Sequence, residues 1–122
     1  MRFAGIDIAS ENHVVAIVDE KSEVVVKATT FTEDAAGYGA LLKLLGAPNE
    51  VLVAMEATGH YGKNLFAVLV TNGYTVAVVS PLRTHRFAGV DLQRTKTDAI
   101  DALGIARFAA QKRPVVRQTL QP

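Results

Sequence analysis

A change of pattern after residue 31 limits the folds open to this chain more than any other property of the sequence. Three β-branched, mostly apolar segments come first, at 2–8, 13–19 and 24–31. Short polar connections join them, and this spacing predicts three strands in an antiparallel meander. After residue 31 the apolar residues take up a helical period, and helices then alternate with buried strands.

The second part of the chain sets the fold class. Thr32 is predicted to start a helix, with Glu33 and Asp34 in its first turn, and Gly46 to end it. The later elements are expected at 51–56 (strand), 61–72 (helix), 74–79 (strand), from Ser80-Pro81 onward (helix) and at 98–111 (helix). This order predicts an α/β fold with a mixed sheet, a three-strand antiparallel meander plus parallel strands, and with helices on its faces. That is the layout of a ribonuclease-H-like fold, although actin-like ATPases and sugar kinases share the half-domain topology.

Composition narrows the class of protein. Hydrophobic residues make up 49% of the 122, enough for a packed core, and there is no cysteine. The absence of cysteine excludes a disulfide framework, a cysteine zinc site and thiol catalysis. No apolar run approaches the ~18 residues that span a bilayer, and the N-terminus lacks the apolar segment of a signal peptide. We therefore expect a soluble, cytoplasmic protein with no membrane partner.

Charge is distributed unevenly along the chain. Residues 1–82 carry five lysines and arginines against nine acids, a net −4, whereas residues 83–122 carry eight against three, a net +5. A basic C-terminal third suggests a polyanionic partner, although a solvated helix face explains the charge equally well. Four basic residues after the last predicted strand are candidates for contacts with backbone phosphates. They are Arg83, Arg86, Arg94 and Lys96.

Two carboxylates lie on predicted strands. Asp7 is expected in the middle of the first strand, where a carboxylate among apolar neighbours is costly unless a positive group such as a metal ion compensates it. Gly5 would let another group approach that strand closely. Glu56 ends the fourth strand, and open α/β sheets bind ligands at the carboxyl ends of parallel strands. A water-facing strand end and an ordinary polar terminus are the plainer explanations.

Two further acids, Asp98 and Asp101, lie on the last predicted helix. Their spacing of three puts both on one helical face, although the helix dipole also favours acids in a first turn. Together with Asp7 and Glu56 they make four carboxylates that can converge on the carboxyl edge of the sheet. Hard oxygen ligands suit Mg²⁺ or Mn²⁺, and two such ions ~3.5–4 Å apart would clamp the attacking and leaving oxygens of a phosphodiester.

Three stretches carry a family resemblance. They are Gly5-Ile-Asp-Ile-Ala-Ser with His13-Val-Val-Ala, Met55-Glu-Ala-Thr-Gly-His-Tyr61, and Lys96-Thr-Asp-Ala-Ile-Asp-Ala102. In this order they resemble the N-terminal domain of the DEDD transposases, the Piv-like, bridge-RNA-guided recombinases of insertion sequences. The resemblance covers about residues 3–112. It implies a RuvC-like catalytic domain over 1–111, and we interpret 112–122 as a basic linker toward a further C-terminal domain.

The resemblance also implies a site and its partners. The family's acidic tetrad would fall on Asp7, Glu56, Asp98 and Asp101 and bind Mg²⁺. The implied partners are DNA, a guide (bridge) RNA and further copies of the chain in a dimer or tetramer, and a serine nucleophile belongs to the further domain. On this basis we expect a DNA transposase or recombinase domain that contributes to strand cleavage and transfer and is inactive as an isolated fragment.

Two other hypotheses compete with this one. The first is the N-terminal half of an actin-like ATPase or sugar kinase, in which a Gly-Ile-Asp-Ile strand precedes a phosphate-binding hairpin. The turn at 19–23 is acidic and would repel phosphate, and Asp98 and Asp101 have no evident role in a kinase. The second is a nucleic-acid-binding or oligomerisation module that keeps the fold without turnover.

Overall fold

The computed structural model describes residues 1–56, 62–80 and 102–112. The strands are β1 (Arg2–Asp7), β2 (Asn12–Val18), β3 (Val24–Thr32), β4 (Val51–Glu56) and β5 (Thr75–Val79). The helices are α1 (Ala35–Leu45), α2 (Lys63–Thr71) and α3 (Ala102–Lys112), with a 3-10 turn at Pro48–Glu50 before β4. The strands form a single mixed sheet in the order β3-β2-β1-β4-β5.

The central strand of the sheet is β1. It pairs antiparallel with β2, which pairs antiparallel with β3, and these three strands form the predicted meander. On its other side β1 pairs parallel with β4, which pairs parallel with β5. The predicted mixed sheet is therefore confirmed. Since β1 and β4 are buried on both faces, they read in the sequence as nearly continuous apolar runs.

Helices cover both faces of this sheet. On one face, Leu41 of α1 and Leu65 of α2 are fully buried against the apolar side chains of the strands. On the other face α3 packs through Ala106 and Ala109 onto Ala54 and its neighbours. These small side chains let α3 lie close to the strands. No helix within the described residues is long and apolar enough to cross a membrane.

Helix α1 begins later than the sequence predicts. Asp34 is its N-cap and accepts a hydrogen bond from the Gly37 N–H at 2.8 Å. The prediction that Thr32 starts the helix, with Glu33 and Asp34 in the first turn, is wrong. Thr32 is instead the last residue of β3, because its pairing with β2 continues to that position.

The other boundaries lie within two residues of the predicted ones. Helix α1 ends at Gly46, as predicted, in a positive-φ conformation of 77°. Helix α2 begins at Lys63 and not at 61, after Gly62 in a left-handed conformation. Helix α3 extends to Lys112, the first residue of the predicted linker. The predicted start of this helix, the helix expected after Ser80 and the rest of the linker lie outside the described residues.

The turn between β2 and β3 is tied to α3. The Asp19 carboxylate accepts two backbone N–H groups within the turn, where Ser22 has a φ of 66°. From α3, Arg107 donates to the carbonyl of Ser22 at 3.3 Å, and Gln111 donates to its hydroxyl at 3.2 Å. The C-terminal part of α3 is therefore fixed at the amino end of β1.

Candidate active site at the carboxyl ends of the parallel strands

Asp7 is the last residue of β1, so its predicted place in the middle of the strand is wrong. It pairs with Val14 of β2 and is half-buried. Alternation along the strand puts Asp7 on the same face as Phe3 and Gly5, the face that α3 covers. The sequence misplaced Asp7 because Ile8 continues the apolar run by one residue beyond the paired strand.

Glu56 is the last residue of β4, as predicted, and is half-buried as well. The parallel register of β1 and β4 pairs Ile6 with Met55, so the next pair along the two strands is Asp7 with Glu56. Neighbouring strands lie about 4.8 Å apart. Glu56 shares the α3 face with Ala54. The structure therefore brings Asp7 and Glu56 together at the carboxyl end of the parallel strands and on one face of the sheet.

Helix α3 comes very close to the sheet at Gly5. A Cβ on Gly5 would overlap the carbonyl oxygen of Ala102 and the amide nitrogen of Ala106, and would lie 2.9 Å from the Cα of Ala106. The prediction that Gly5 admits a close neighbour is confirmed, and that neighbour is the backbone of α3. Because Gly5 lies two residues before Asp7 on the same face, the first described turn of α3 lies near the strand end that carries Asp7.

The other two predicted acids lie outside the described residues. Asp101 is joined directly to Ala102, and Asp98 precedes Asp101 by three residues. The four candidates for phosphate contacts also lie outside the described ranges. They are Arg83, Arg86, Arg94 and Lys96. The site roles given to these six residues stay predictions.

The chemistry of the described pair fits a hard divalent cation. Asp7 and Glu56 offer only carboxylate oxygens, which Mg²⁺ and Mn²⁺ prefer. Two like charges on neighbouring strands disfavour each other, and a cation between them removes that cost. Within 1–56, 62–80 and 102–112, no group of three or more histidine and acidic side chains comes together.

A partly buried polar network, centred on the buried His13, lies at the same end of the sheet on the opposite face, and sequence reasoning missed it. His13 is 1% exposed, and its Nε2 lies 2.5 Å from Oε1 of Glu33. Its Nδ1 accepts a hydrogen bond from the Ala9 N–H at 3.1 Å. Asn64 of α2 donates to Oε2 of Glu33 at 3.4 Å. In the sequence, the sign of this network is a histidine at the start of an otherwise apolar strand. The three histidines of the chain are too scattered for a zinc site, so their spacing gives no motif.

The network fixes which groups in it are charged. The hydrogen bond with His13 is the largest influence that lowers the pKa of Glu33, and a hydrogen bond with the Tyr38 hydroxyl lowers it further. Burial raises the pKa of the Tyr38 hydroxyl, and the nearby Glu33 carboxylate adds to that increase. Glu33 is therefore a carboxylate at neutral pH, and Tyr38 is a hydroxyl that can donate to it.

Solved structures share this architecture. Thermus thermophilus RuvC in complex with a Holliday junction substrate has a TM-score of 0.62 at 18% identity, covering 98% of this chain and 99% of that one. A second Thermus thermophilus RuvC structure has a TM-score of 0.55 at 19% identity and covers 98% and 100%. The fold is that of the RuvC-like proteins, so the predicted ribonuclease-H-like class is confirmed.

Sequence comparisons then identify the family. The family model of the IS110-type DEDD transposases, described as "Transposase", matches residues 4–121. The IS117 mini-circle protein of Streptomyces coelicolor, which carries a transposase name, is 38% identical over 112 residues, 87% of this chain. The pilin gene-inverting protein of Moraxella lacunata is 29% identical over 120 residues, 95% of this chain. This chain belongs to the DEDD transposase family of the IS110 type, as the resemblance implied.

The chain spans 26% and 36% of the length of these two relatives. Membership of this family does not favour the actin-like ATPase or sugar kinase hypothesis. One argument against that hypothesis, the acidity of the turn at 19–23, does not hold. A phosphate-binding hairpin would follow the Gly-Ile-Asp-Ile strand directly, where residues 8–11 connect β1 to β2. The turn at 19–23 lies instead at the amino end of β1.

Proposed function

We propose that this chain is the metal-binding domain of a DNA transposase or recombinase. Asp7, Glu56, Asp98 and Asp101 would hold Mg²⁺ or Mn²⁺ for DNA strand cleavage and transfer. The observation that carries the proposal is the adjacency of the first two acids, half-buried at the carboxyl ends of neighbouring parallel strands. Such an edge is where open α/β sheets bind their ligands.

The position of α3 supports the inclusion of the other two acids. The backbone at Ala102 packs on Gly5, two residues before Asp7 on the same face. Asp101 is bonded to Ala102, and one helical turn covers about 5.4 Å along the axis. A helix continued backward by one turn would therefore carry Asp98 and Asp101 on one face, within side-chain reach of the strand ends.

The residues of the chain would divide the work by charge. Divalent cations at such a site stabilise the attacking and leaving oxygens of a phosphodiester during displacement. The four carboxylates hold that positive charge at one place beside the DNA. The basic residues would bind backbone phosphates and give affinity and register without reading base sequence. They are Arg83, Arg86, Arg94 and Lys96.

DNA is the proposed substrate, a guide (bridge) RNA the second partner and a dimer or tetramer the working assembly. The net charge of +5 over residues 83–122 supports a polyanionic partner. Among similar proteins, one RuvC was solved with a Holliday junction, and one relative is named as a pilin gene-inverting protein. Because the relatives are roughly three to four times as long, we assign metal binding to this domain and complete strand transfer to proteins of the relatives' full length.

A Mn²⁺ titration of the 122-residue chain tests the site. Mn²⁺ broadens the NMR signals of amides close to it, and we expect the strongest broadening at Asp7, Glu56 and residues 98–101. The variant Asp7→Asn keeps the side-chain shape but removes the charge. Loss of an outer-shell partner typically lowers metal affinity by roughly 10–100-fold. Because Asp7 is a proposed direct ligand, Asp7→Asn should lower the Mn²⁺ affinity by more than that.

The matched control is Glu20→Gln. Glu20 is an exposed acid at the amino end of the sheet, paired with the chain N-terminus. Its variant should bind Mn²⁺ as the unaltered chain does. Broadening centred on Glu20, or an unchanged affinity in Asp7→Asn, would overturn the proposed site. In a full-length family member that carries this domain, Asp7→Asn should abolish Mg²⁺-dependent DNA cleavage.

A further inference from the structure

The network around His13 is attached to the connection that leaves Asp7. Ala9, whose N–H donates to Nδ1 of His13, lies two residues beyond Asp7. In the same connection, the carbonyl of Glu11 accepts the backbone N–H of Glu33 at 2.9 Å. The connection between β1 and β2 is thus held at two points by residues that themselves form a hydrogen-bonded pair.

The same network also contacts the start of α2. Asn64, which donates to Oε2 of Glu33, lies in the first turn of α2, the next described helix after β4. Just before α2, a Cβ on Gly62 would lie 3.4 Å from Cγ2 of Ile8, so the start of the helix packs on the residue after Asp7. The connection after Asp7 and the start of α2 therefore both contact the pair formed by His13 and Glu33.

Hydrogen bonding fixes the tautomer of the imidazole. A backbone N–H can only donate, so Nδ1 of His13 is the unprotonated nitrogen that accepts it from Ala9. The proton is then on Nε2, which donates to the Glu33 carboxylate in a short, charge-assisted bond. Both ring nitrogens are used, and the ring is almost wholly excluded from water. A second proton on the ring would break the bond from Ala9.

We propose that His13 and Glu33 are positioning residues that set the course of the connection after Asp7 and thereby the direction of the Asp7 carboxylate. This inference rests on the metal site of the proposed function. An apolar side chain could fill the same space without the cost of burying polar groups. The histidine instead supplies an acceptor, Nδ1, for the N–H of Ala9. Outer-shell partners orient a metal ligand by bonding to it directly; His13 would act one step further away, through the backbone of Ala9.

Two amide variants separate the two contacts of His13. In His13→Asn the side-chain oxygen lies near the position of Nδ1 and can accept from Ala9, but the side chain is too short to reach Glu33. In His13→Gln the terminal amide lies near the position of Nε2 and can donate to Glu33, but nothing accepts from Ala9. Both variants place an amide in the same buried site, so we expect similar losses of melting temperature.

If His13 had only a structural role, the two variants would have the same Mn²⁺ affinity. Mn²⁺ affinity is therefore the measurement that tests the positioning role. Because the bond from Ala9 orients the segment after Asp7, His13→Gln should weaken Mn²⁺ binding by about 10–100-fold. His13→Asn should stay within about 3-fold of the unaltered chain, well below that range. Equal affinities in the two variants would overturn the positioning role and leave the proposed metal site standing.

Two NMR measurements test the positioning role without Mn²⁺. They decide it even if the unaltered chain fails to bind Mn²⁺ at Asp7, which is the outcome that refutes the proposed function. Long-range ¹⁵N spectra of the unaltered chain at pH 7 should show His13 protonated at Nε2 and unprotonated at Nδ1. The Ala9 amide should lose its protection from hydrogen exchange in His13→Gln and keep it in His13→Asn, since only the asparagine still accepts from Ala9. The other tautomer, a doubly protonated ring, or equal exchange in both variants would reject the positioning of this connection.

Discussion

The two ends of the sheet use polar side chains in different ways. At the amino end, the Arg2 guanidinium donates to the carbonyl of Leu45, and the Tyr74 hydroxyl donates to the carbonyl of Gly46. These contacts satisfy the backbone of the α1 C-terminus, where helix carbonyls have no partner within the helix. At the carboxyl end, two half-buried acids stand on adjacent strands. The amino end therefore carries contacts that stabilise the end of α1, whereas the carboxyl end carries the acids of the proposed metal site.

The variant Gly5→Val should have the largest effect on stability and on the carboxyl end of the sheet, because the backbone of α3 packs directly on Gly5. Its Cβ would overlap backbone atoms of Ala102 and Ala106, which cannot rotate away as a side chain can. Helix α3 must shift, and we expect a loss of roughly 2–3 kcal/mol in the free energy of unfolding. Mn²⁺ affinity should fall as well. Urea denaturation and the Mn²⁺ titration measure the two effects.

The matched control for this variant is Gly39→Ala. Gly39 lies in α1, and a Cβ there would meet no atom within 4 Å. Alanine should raise the free energy of unfolding by about 0.5–1 kcal/mol, because glycine is a poor helix former. Mn²⁺ affinity should stay the same. A Gly5→Val protein with unchanged stability and unchanged affinity would contradict the close packing of α3 on β1.

The variant Tyr74→Phe sharpens the comparison from the amino end. It removes the hydroxyl that donates to Gly46 and leaves the buried ring in place. We expect a loss of roughly 0.5–1.5 kcal/mol in the free energy of unfolding. Mn²⁺ affinity should not change, since the contact lies at the far end of the sheet from Asp7. A lower affinity in this variant would show that the two ends are coupled.

The smallest expected effect concerns pH and Glu33. Its pKa is lowered from 4.5 in the folded protein, chiefly by the hydrogen bond with His13. The unfolded state therefore binds the proton more readily, and the stabilisation by Glu33 is complete above about pH 4.5 and is lost as the pH falls through the folded pKa. In Glu33→Gln, stability should decline less steeply with acid below that pH. Urea denaturation from pH 6 down to pH 3 measures the slope.

Asp34 provides the control for this slope. Its pKa is also lowered, by hydrogen bonds from Thr32 and from the Gly37 N–H, so it titrates in the same direction. Asp34 is unchanged in Glu33→Gln, and part of the acid dependence should remain. Identical slopes in Glu33→Gln and the unaltered chain would show that the pair with His13 does not contribute.

The sequence predicted the sheet well because each strand is a local pattern of apolar and β-branched residues. It also predicted that Asp7 and Glu56 lie at the same edge, since the order of strands and helices determines which strand ends meet. Boundaries were less accurate where a tertiary contact decides them. Thr32 has the sequence of a helix start, yet pairing with β2 keeps it in the strand and leaves Asp34 as the cap.

The network around His13 was out of reach for a different reason. His13 and Glu33 are 20 residues apart and come together only because β2 and β3 are paired with their ends in register. His13 belongs to a stretch that carries the family resemblance, but that stretch does not indicate Glu33 as its partner. A buried histidine also has several structural explanations when its partners are unknown. The sequence shows the histidine but does not show which residues it contacts in the fold.

The backbone contact between Gly5 and α3 makes the spacing from Gly5 to Asp7 a practical marker. Since the neighbouring atoms belong to the main chain of Ala102 and Ala106, a neighbouring substitution offers little means of making room for a side chain at position 5. Suppose another chain of this fold carries a bulky residue two places before its strand-end aspartate. Such a chain must hold the corresponding helix farther from the sheet, and its acids would be separated accordingly. We therefore expect the residue at that position to indicate which related chains can bring the proposed metal ligands together.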